Sequence, residues 1–341
     1  MVPPKLRSEN SDDEAQVAED VPTPKDYTAP LLIPGISGAP IQNHADTEHH
    51  KFHSHDADFA AGKDSALGLA GLVGTVPVFA IDDEDGPLRA IEEEVKKAVS
   101  AETRWAGFDE DRHGSAEVHL DNVRYVLHER AKVGPIEGND GQGVERERDT
   151  GHSVTDVDGK TVGMQLDDFW RQPQARVAEL KKAEVAALRL YTTSTFRLIN
   201  GPLRKADPSS TKTDQLALPI TTHFIDTGLK KLRACHMKVE VDERGRTIPF
   251  KPRHLWRGLK NKKYADTFFR LGGTELACMS TTEDIEVVAR YAKSESPLIF
   301  RIKVDTPMDM GADISWLSTF PDEKEILYPP LTCAFVPTTM H

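Results

Sequence analysis

The sequence predicts an α+β fold, with helices in the first part of the packed chain and short strands in the second. Apolar residues recur every three or four positions in several separate stretches between Pro87 and Ala234, the period of a helix that buries one face. Beyond Arg253 the apolar stretches become short and are bounded by Gly, Pro, Ser or Asp, as strands are. No Gly-x-Gly-x-x-Gly follows a strand candidate. Gly138-Asn139-Asp140-Gly141-Gln142-Gly143 stands in a polar linker with different spacing, and Gly62-Lys63 lacks the rest of a phosphate-binding loop. Neither hydride transfer nor nucleotide hydrolysis on a parallel βαβ sheet is therefore expected.

Residues 1–60 mix Pro, Asp, Glu, Ser and His with few large apolar side chains. Burial cannot offset the entropy of ordering such a segment, so a disordered acidic tail is expected. His44, His49, His50, His53 and His55 cluster there beside Asp46, Glu48 and Asp56. Without a rigid scaffold they read as a solvated polar tract, and no metal is expected. Residues 61–160 read as a helical accessory region and linker. Leu88, Ile91, Val95 and Val99 predict a helix over Pro87–Val99, and Leu120, Val123, Val126 and Leu127 predict another over Val118–Ala131. Gly134–Lys160, rich in Gly, Asp and Glu, is the linker.

Residues 161–341 form the densest unit. Helices are predicted over Leu166–Gln172, Ala175–Leu180 and Lys182–Ile199, the last stopping near Asn200-Gly201-Pro202, and another over Pro219–Ala234. Strands are predicted over Arg253–Gly258, Glu275–Ser280, Leu298–Val304 and Glu325–Tyr328. Between them Thr282–Ala292 reads as a helix capped by its Thr-Glu-Asp run.

The net charge of −12 is unevenly spread, being −16 over residues 1–150 and +4 over residues 151–341. A mildly basic second half suits a small anionic ligand. It lacks the Lys/Arg cluster with interleaved aromatics that nucleic acid requires, so no nucleic-acid partner is expected. The acidic first half is expected to act as a loose regulatory or partner-binding arm. Cys235, Cys278 and Cys333 are odd in number and far apart, which fits neither a disulfide framework nor a zinc ribbon. Met1-Val2-Pro3-Pro4-Lys5 lacks the apolar core of a signal peptide, and the apolar run Ala66–Ile81, about 16 residues, falls short of the roughly 20 that span a bilayer. No membrane partner and a cytoplasmic location are expected.

The chemistry concentrates near the C-terminus. Ser318-Thr319-Phe320-Pro321-Asp322 opens onto Glu323-Lys324-Glu325-Ile326-Leu327-Tyr328, which Pro329-Pro330 ends. In an extended strand, side chains two apart share a face about 7 Å apart, which would aim Glu323 and Glu325 into one space. Paired carboxylates are costly when buried and useful when they line a cleft.

Three segments taken in order, Leu255-Trp256-Arg257-Gly258, Met279-Ser280-Thr281-Thr282 and Glu323-x-Glu325, resemble the Arg, Ser-Thr-Ser and Glu-x-Glu motifs of mono-ADP-ribosyltransferases of the Arg-Ser-Glu class. Leu188–Thr193 and Asn200–Arg204 look like that family's helical lobe, so the resemblance covers roughly residues 163–337. It implies a helical lobe followed by a split two-sheet β-sandwich with an NAD⁺ cleft, and transfer of ADP-ribose from NAD⁺ as co-substrate to a protein side chain.

By the same resemblance Glu325 would accept from the ribose 2′-hydroxyl and stabilise the cation that forms as nicotinamide leaves. Glu323 would position and deprotonate an acceptor guanidinium, which implies arginine-bearing acceptor proteins as partners. Arg257 would grip the pyrophosphate, with Gly258 allowing close backbone approach. Ser280 would hold Glu325, while Thr281 and Thr282 cap the next helix, Thr282 standing where the family has Ser. Trp316 would meet the acceptor protein. The other readings are an NAD⁺ glycohydrolase with the same Glu325 centre, and an inactive NAD- or protein-binding module of the same fold.

Overall fold

A computed structural model describes residues 52–53, 76–80, 83–131, 161–205, 216–236, 249–261 and 273–334. The His44–Asp56 tract, apart from the backbone of Phe52–His53, and the linker Gly134–Lys160 lie outside these residues.

Eight helices precede the main sheet among the described residues. They are α1 (Asp85–Val99), α2 (Glu110–His113), α3 (Ala116–His128), α4 (Leu166–Trp170), α5 (Pro173–Val177), α6 (Lys182–Tyr191), α7 (Phe196–Lys205) and α8 (Pro219–His236). Ile91, Val95, Ala98 and Val99 form the buried stripe of α1, and they join one core with Val123 and Val126 of α3 and Val185, Leu188 and Leu190 of α6. Residues on both sides of the linker therefore share a hydrophobic interior. A polar tie reinforces it. Glu94 of α1 accepts from the Ile220 and Thr221 amides at 2.6 and 2.9 Å and from the Thr221 hydroxyl at 2.8 Å, so it occupies the N-terminus of α8. Burial outweighs those bonds and pushes the Glu94 carboxyl up to about 7.

The single helix expected over Lys182–Ile199 is two helices. Thr192 and Thr193 turn their hydroxyls onto the Arg189 and Leu190 carbonyls, both at 2.7 Å, and so break the α-helical ladder. α7 then runs past the expected stop through Pro202, its last turn held by fully buried Leu203 and by an ion pair of Arg204.

The strands are β1 (Phe52–His53), β2 (Arg253–Leu259), β3 (Gly273–Glu275), β4 (Met279–Thr282), β5 (Leu298–Val304), β6 (Ala312–Asp313), β7 (Glu325–Tyr328) and β8 (Thr332–Ala334). They make two antiparallel sheets, of order β1-β3-β8 and β5-β2-β4-β7-β6. The stretch read as one strand over Glu275–Ser280 is two. Leu276, Ala277 and Cys278 carry the chain from the small sheet to the large one, and all three are buried on the way. On β7 alternate residues divide between two cores, Leu327 facing the helices and Ile326 and Tyr328 packing with Leu255, Phe300 and Ile302. Helix α9 (Ile285–Ala292) begins three residues later than expected. Its cap is Asp284, which accepts from the Glu286 amide at 3.0 Å.

Candidate active site

Arg257, Gly258, Ser280, Thr281, Thr282, Glu323 and Glu325 all line one cavity of about 730 Å³. The large sheet gathers most of them. Trp256 of β2 pairs with Thr282 of β4, which pairs with Glu325 of β7, so Arg257 and Glu325 come from strands on either side of β4. α7 and α9 supply further walls.

The two glutamates reach the cavity by a route the strand argument does not give. Glu323 closes a 3₁₀ turn over Pro321–Glu323, Lys324 adopts a left-handed conformation (φ 47°), and β7 starts only at Glu325. The alternation of a strand therefore does not apply between them, and the turn itself aims both acids inward. Glu323 and Glu325 are 8 % and 4 % exposed.

The turn is held from both sides. Thr319 donates its amide to the Thr192 hydroxyl (3.1 Å) and its own hydroxyl to the Thr192 carbonyl (2.9 Å), while Arg189 donates to the Leu317 carbonyl at 2.8 Å. The break between α6 and α7 thus clasps the loop before the glutamates. From β4 the Thr282 hydroxyl donates to the Glu323 carbonyl at 2.8 Å and accepts from the Asp284 amide at 3.0 Å. Thr281 donates to the Ile326 carbonyl at 2.7 Å. These threonines secure the turn and β7 rather than capping α9. Trp316 is half-buried against the helical core, with its indole donating to the Asp313 carbonyl at 3.1 Å, rather than standing exposed.

Arg257 is fixed by charge. It donates through Nη2 to Glu275 Oε2 and through Nη1 to the Ser280 carbonyl, both at 3.0 Å. The bond that ties Ser280 to its neighbours here runs through its main chain. Glu275, fully buried at the end of β3, also receives Arg204 Nε of α7 at 3.2 Å and the Ala277 amide at 3.2 Å. One carboxylate therefore binds two guanidiniums that line the cavity and joins the helical lobe to both sheets.

Gly258 has a different reason to be glycine from the one the sequence suggested. A Cβ there would stand 2.9 Å from the Val288 carbonyl oxygen and 3.0 Å from Ala292 Cβ, so its bareness lets α9 lie against β2.

Sequence reasoning missed Glu275, Arg204, Tyr191, Asn200 and Tyr291, together with Asp111, Arg112 and His113, which come from the region ahead of the linker. The signal for Glu275 was an acid opening an otherwise apolar run. Burial pushes the Cys278 thiol and the Tyr191 hydroxyl well up, so both stay protonated and neither serves as an anionic nucleophile. His113 is stacked on Phe108, with ring centres 5.9 Å apart. Its carbonyl accepts from His119 Nε2 at 2.9 Å, which leaves Nδ1 to accept from the Thr195 hydroxyl at 3.2 Å. Burial holds His119 down at about 4, in keeping with that neutral tautomer. Among the described residues no group of three His, Cys, Asp or Glu is placed to hold a metal ion, and no helix is long and apolar enough to cross a membrane.

The family of ADP-ribosyltransferase exoenzymes matches this chain over residues 167–333, a span that contains every strand of the large sheet and all the sequence-predicted site residues. The matched span, residues 167–333, is similar to the ADP-ribosyltransferase exoenzymes. The architecture of the family segment is accordingly the α+β ADP-ribosyltransferase fold, and the family's co-substrate is NAD⁺. Among solved structures, the ADP-ribosyltransferase HopU1 of Pseudomonas syringae pv. tomato DC3000 is similar at 22% sequence identity and a TM-score of 0.37, over 52% of this chain and 81% of that one. No curated protein matches the chain. α1–α3 and the cavity residues Asp111–His113 precede the matched segment in sequence yet pack against it.

Proposed function

We propose that this protein is a mono-ADP-ribosyltransferase that moves ADP-ribose from NAD⁺ to arginine side chains of acceptor proteins and releases nicotinamide. The observation that carries the reading is the convergence of Arg257, the Ser280–Thr282 strand end, Glu323 and Glu325 on one cavity. The cavity's 730 Å³ lies within the range of about 300–1,000 Å³ usual for small-molecule sites. Its chemistry suits a dinucleotide. Arg204 and Arg257 offer planar cations for a pyrophosphate, and Trp256, Tyr191 and Phe196 offer aromatic walls.

Nicotinamide leaves as a neutral group, so the departing bond needs no general acid. What it needs is negative charge beside the sugar, where an oxocarbenium-like cation develops. Glu325, 4 % exposed and fixed at the start of β7, supplies that charge from a side chain largely shielded from solvent. Glu323 two residues away provides a second anion. A guanidinium is a poor nucleophile while protonated, and an acid beside the reacting carbon both attracts it and takes its proton on attack. A neighbouring pair of buried acids therefore favours an arginine acceptor.

The test is incubation of the purified protein with labelled NAD⁺ and an arginine-rich acceptor, wild type against Glu325→Ala. Label that enters the acceptor, is released by hydroxylamine as an arginine linkage is, and falls at least about a hundredfold in the variant is the expected result. Nicotinamide release from the wild type with no labelled acceptor would point to hydrolysis instead.

A further inference from the structure

We infer that Tyr291 is a positioning residue for Glu323 and sets how much ADP-ribose goes to an acceptor rather than to water; this rests on the transferase reading above. Tyr291 lies near the end of α9, half-buried, and lines the same cavity. Its hydroxyl donates to Glu323 Oε1. Asp284, seven residues or about two helical turns earlier and so on the same face, receives Lys324 Nζ at 3.4 Å. α9 therefore grips two successive residues of the glutamate turn, one through a catalytic acid and one through its neighbour.

The main chain of Glu323 is already fixed, by its amide on the Phe320 carbonyl (3.1 Å) and by Thr282 on its own carbonyl. What remains to be set is the side chain. Packing in this part of α9 is supplied by buried Val287, Val288 and Ala292, whereas the Tyr291 ring is only partly covered. The group that Tyr291 adds is its hydroxyl, and that hydroxyl ties down one carboxylate oxygen and so favours one rotamer of the Glu323 side chain.

In transfer, a guanidine nitrogen lone pair forms a bond to ribose C1′ as the bond from C1′ to nicotinamide breaks, its electron pair going to the nicotinamide nitrogen. The proton displaced from the attacking nitrogen passes to Glu323 and then to solvent. With water as attacking group the products are ADP-ribose, nicotinamide and one proton, and the guanidinium-orienting function of Glu323 is dispensed with. A carboxylate in the wrong rotamer thus penalises transfer more than hydrolysis.

The experiment compares full-length wild type, Tyr291→Phe and Lys324→Ala with labelled NAD⁺ and poly-arginine, measuring label on the polymer and nicotinamide released, beside melting temperature and KM for NAD⁺. Tyr291→Phe is expected to lower the ratio of transfer to hydrolysis by about tenfold or more, with KM for NAD⁺ within about twofold and the melting temperature little changed. Lys324→Ala, which cuts the neighbouring tie without touching the carboxylate, is expected to keep the wild-type ratio. An unchanged ratio in Tyr291→Phe, or an equal fall in Lys324→Ala, would overturn the inference. Wild type that releases no nicotinamide from NAD⁺ would instead remove the transferase reading and this inference with it.

Discussion

Glu275→Gln keeps the shape of the side chain and removes the negative charge from between Arg204 and Arg257. Glu275 is fully buried, and its partners are 6 % and 7 % exposed, so solvent screens the lost charge little. Breaking a buried ion pair by neutralising one member costs about 3–5 kcal/mol, because the other charge is left in the interior. The amide oxygen still accepts a hydrogen bond, which places the variant near the lower end, at about 3 kcal/mol. For a chain with this much packed structure that corresponds to a fall in melting temperature of about 6–12 °C. Arg257 also loses one of its anchors, so NAD⁺ affinity is expected to drop by roughly tenfold. Thermal unfolding followed by circular dichroism gives the first quantity, and an NAD⁺ titration followed by tryptophan fluorescence gives the second, with Trp256 in the cavity wall as reporter. A variant that melts within about 2 °C of wild type and binds NAD⁺ as well would refute the reasoning, since the carboxylate would then be holding neither structure nor guanidinium.

Gly258→Ala forces a methyl to within 3.1 Å of Val288 Cγ1 and closer still to the Val288 carbonyl; a loss of about 1–3 kcal/mol in urea unfolding is expected, and an unchanged midpoint would show that α9 has room to move. Glu94 has its folded-state carboxyl raised from the usual 4.5 to about 7, so the native state holds its proton more tightly than the unfolded chain does. Its contribution is therefore fully present below about pH 4.5 and is lost as the pH rises through 7, on the order of 3 kcal/mol at most. The melting temperature of wild type minus that of Glu94→Gln should shrink over that window, and a pH-independent difference would contradict the assignment.

Part of the candidate site was legible because its residues stand in short apolar runs whose ends are marked by turns. Arg257 inside β2, Ser280 inside β4 and Glu325 at the head of β7 each break a hydrophobic pattern, and a polar residue in a buried strand needs a reason. Pairings across long sequence distances were not legible. Glu275 and Arg204 are 71 residues apart, and nothing in the local pattern of α7 or β3 announces that one neutralises the other. The break after Tyr191 was hidden because the apolar spacing resumes in phase beyond the polar Thr192–Thr195, Leu198 standing seven residues after Tyr191, while the hydroxyls that end the helix act on the backbone. Lys324 deceived in another way. A left-handed lysine has no compositional signature, so a turn followed by a strand looked like a longer strand. The contribution of Asp111–His113 was invisible because the linker separates it from every motif.

The threefold grip of Glu275 bears on how an anion would be received. A long cationic side chain on a surface sweeps many rotamers, and capturing a ligand with it means quenching that motion at the moment of encounter. Here the guanidinium planes of Arg204 and Arg257 are set when the chain folds, before any phosphate arrives, so association has little side-chain mobility left to quench at that end of the cavity.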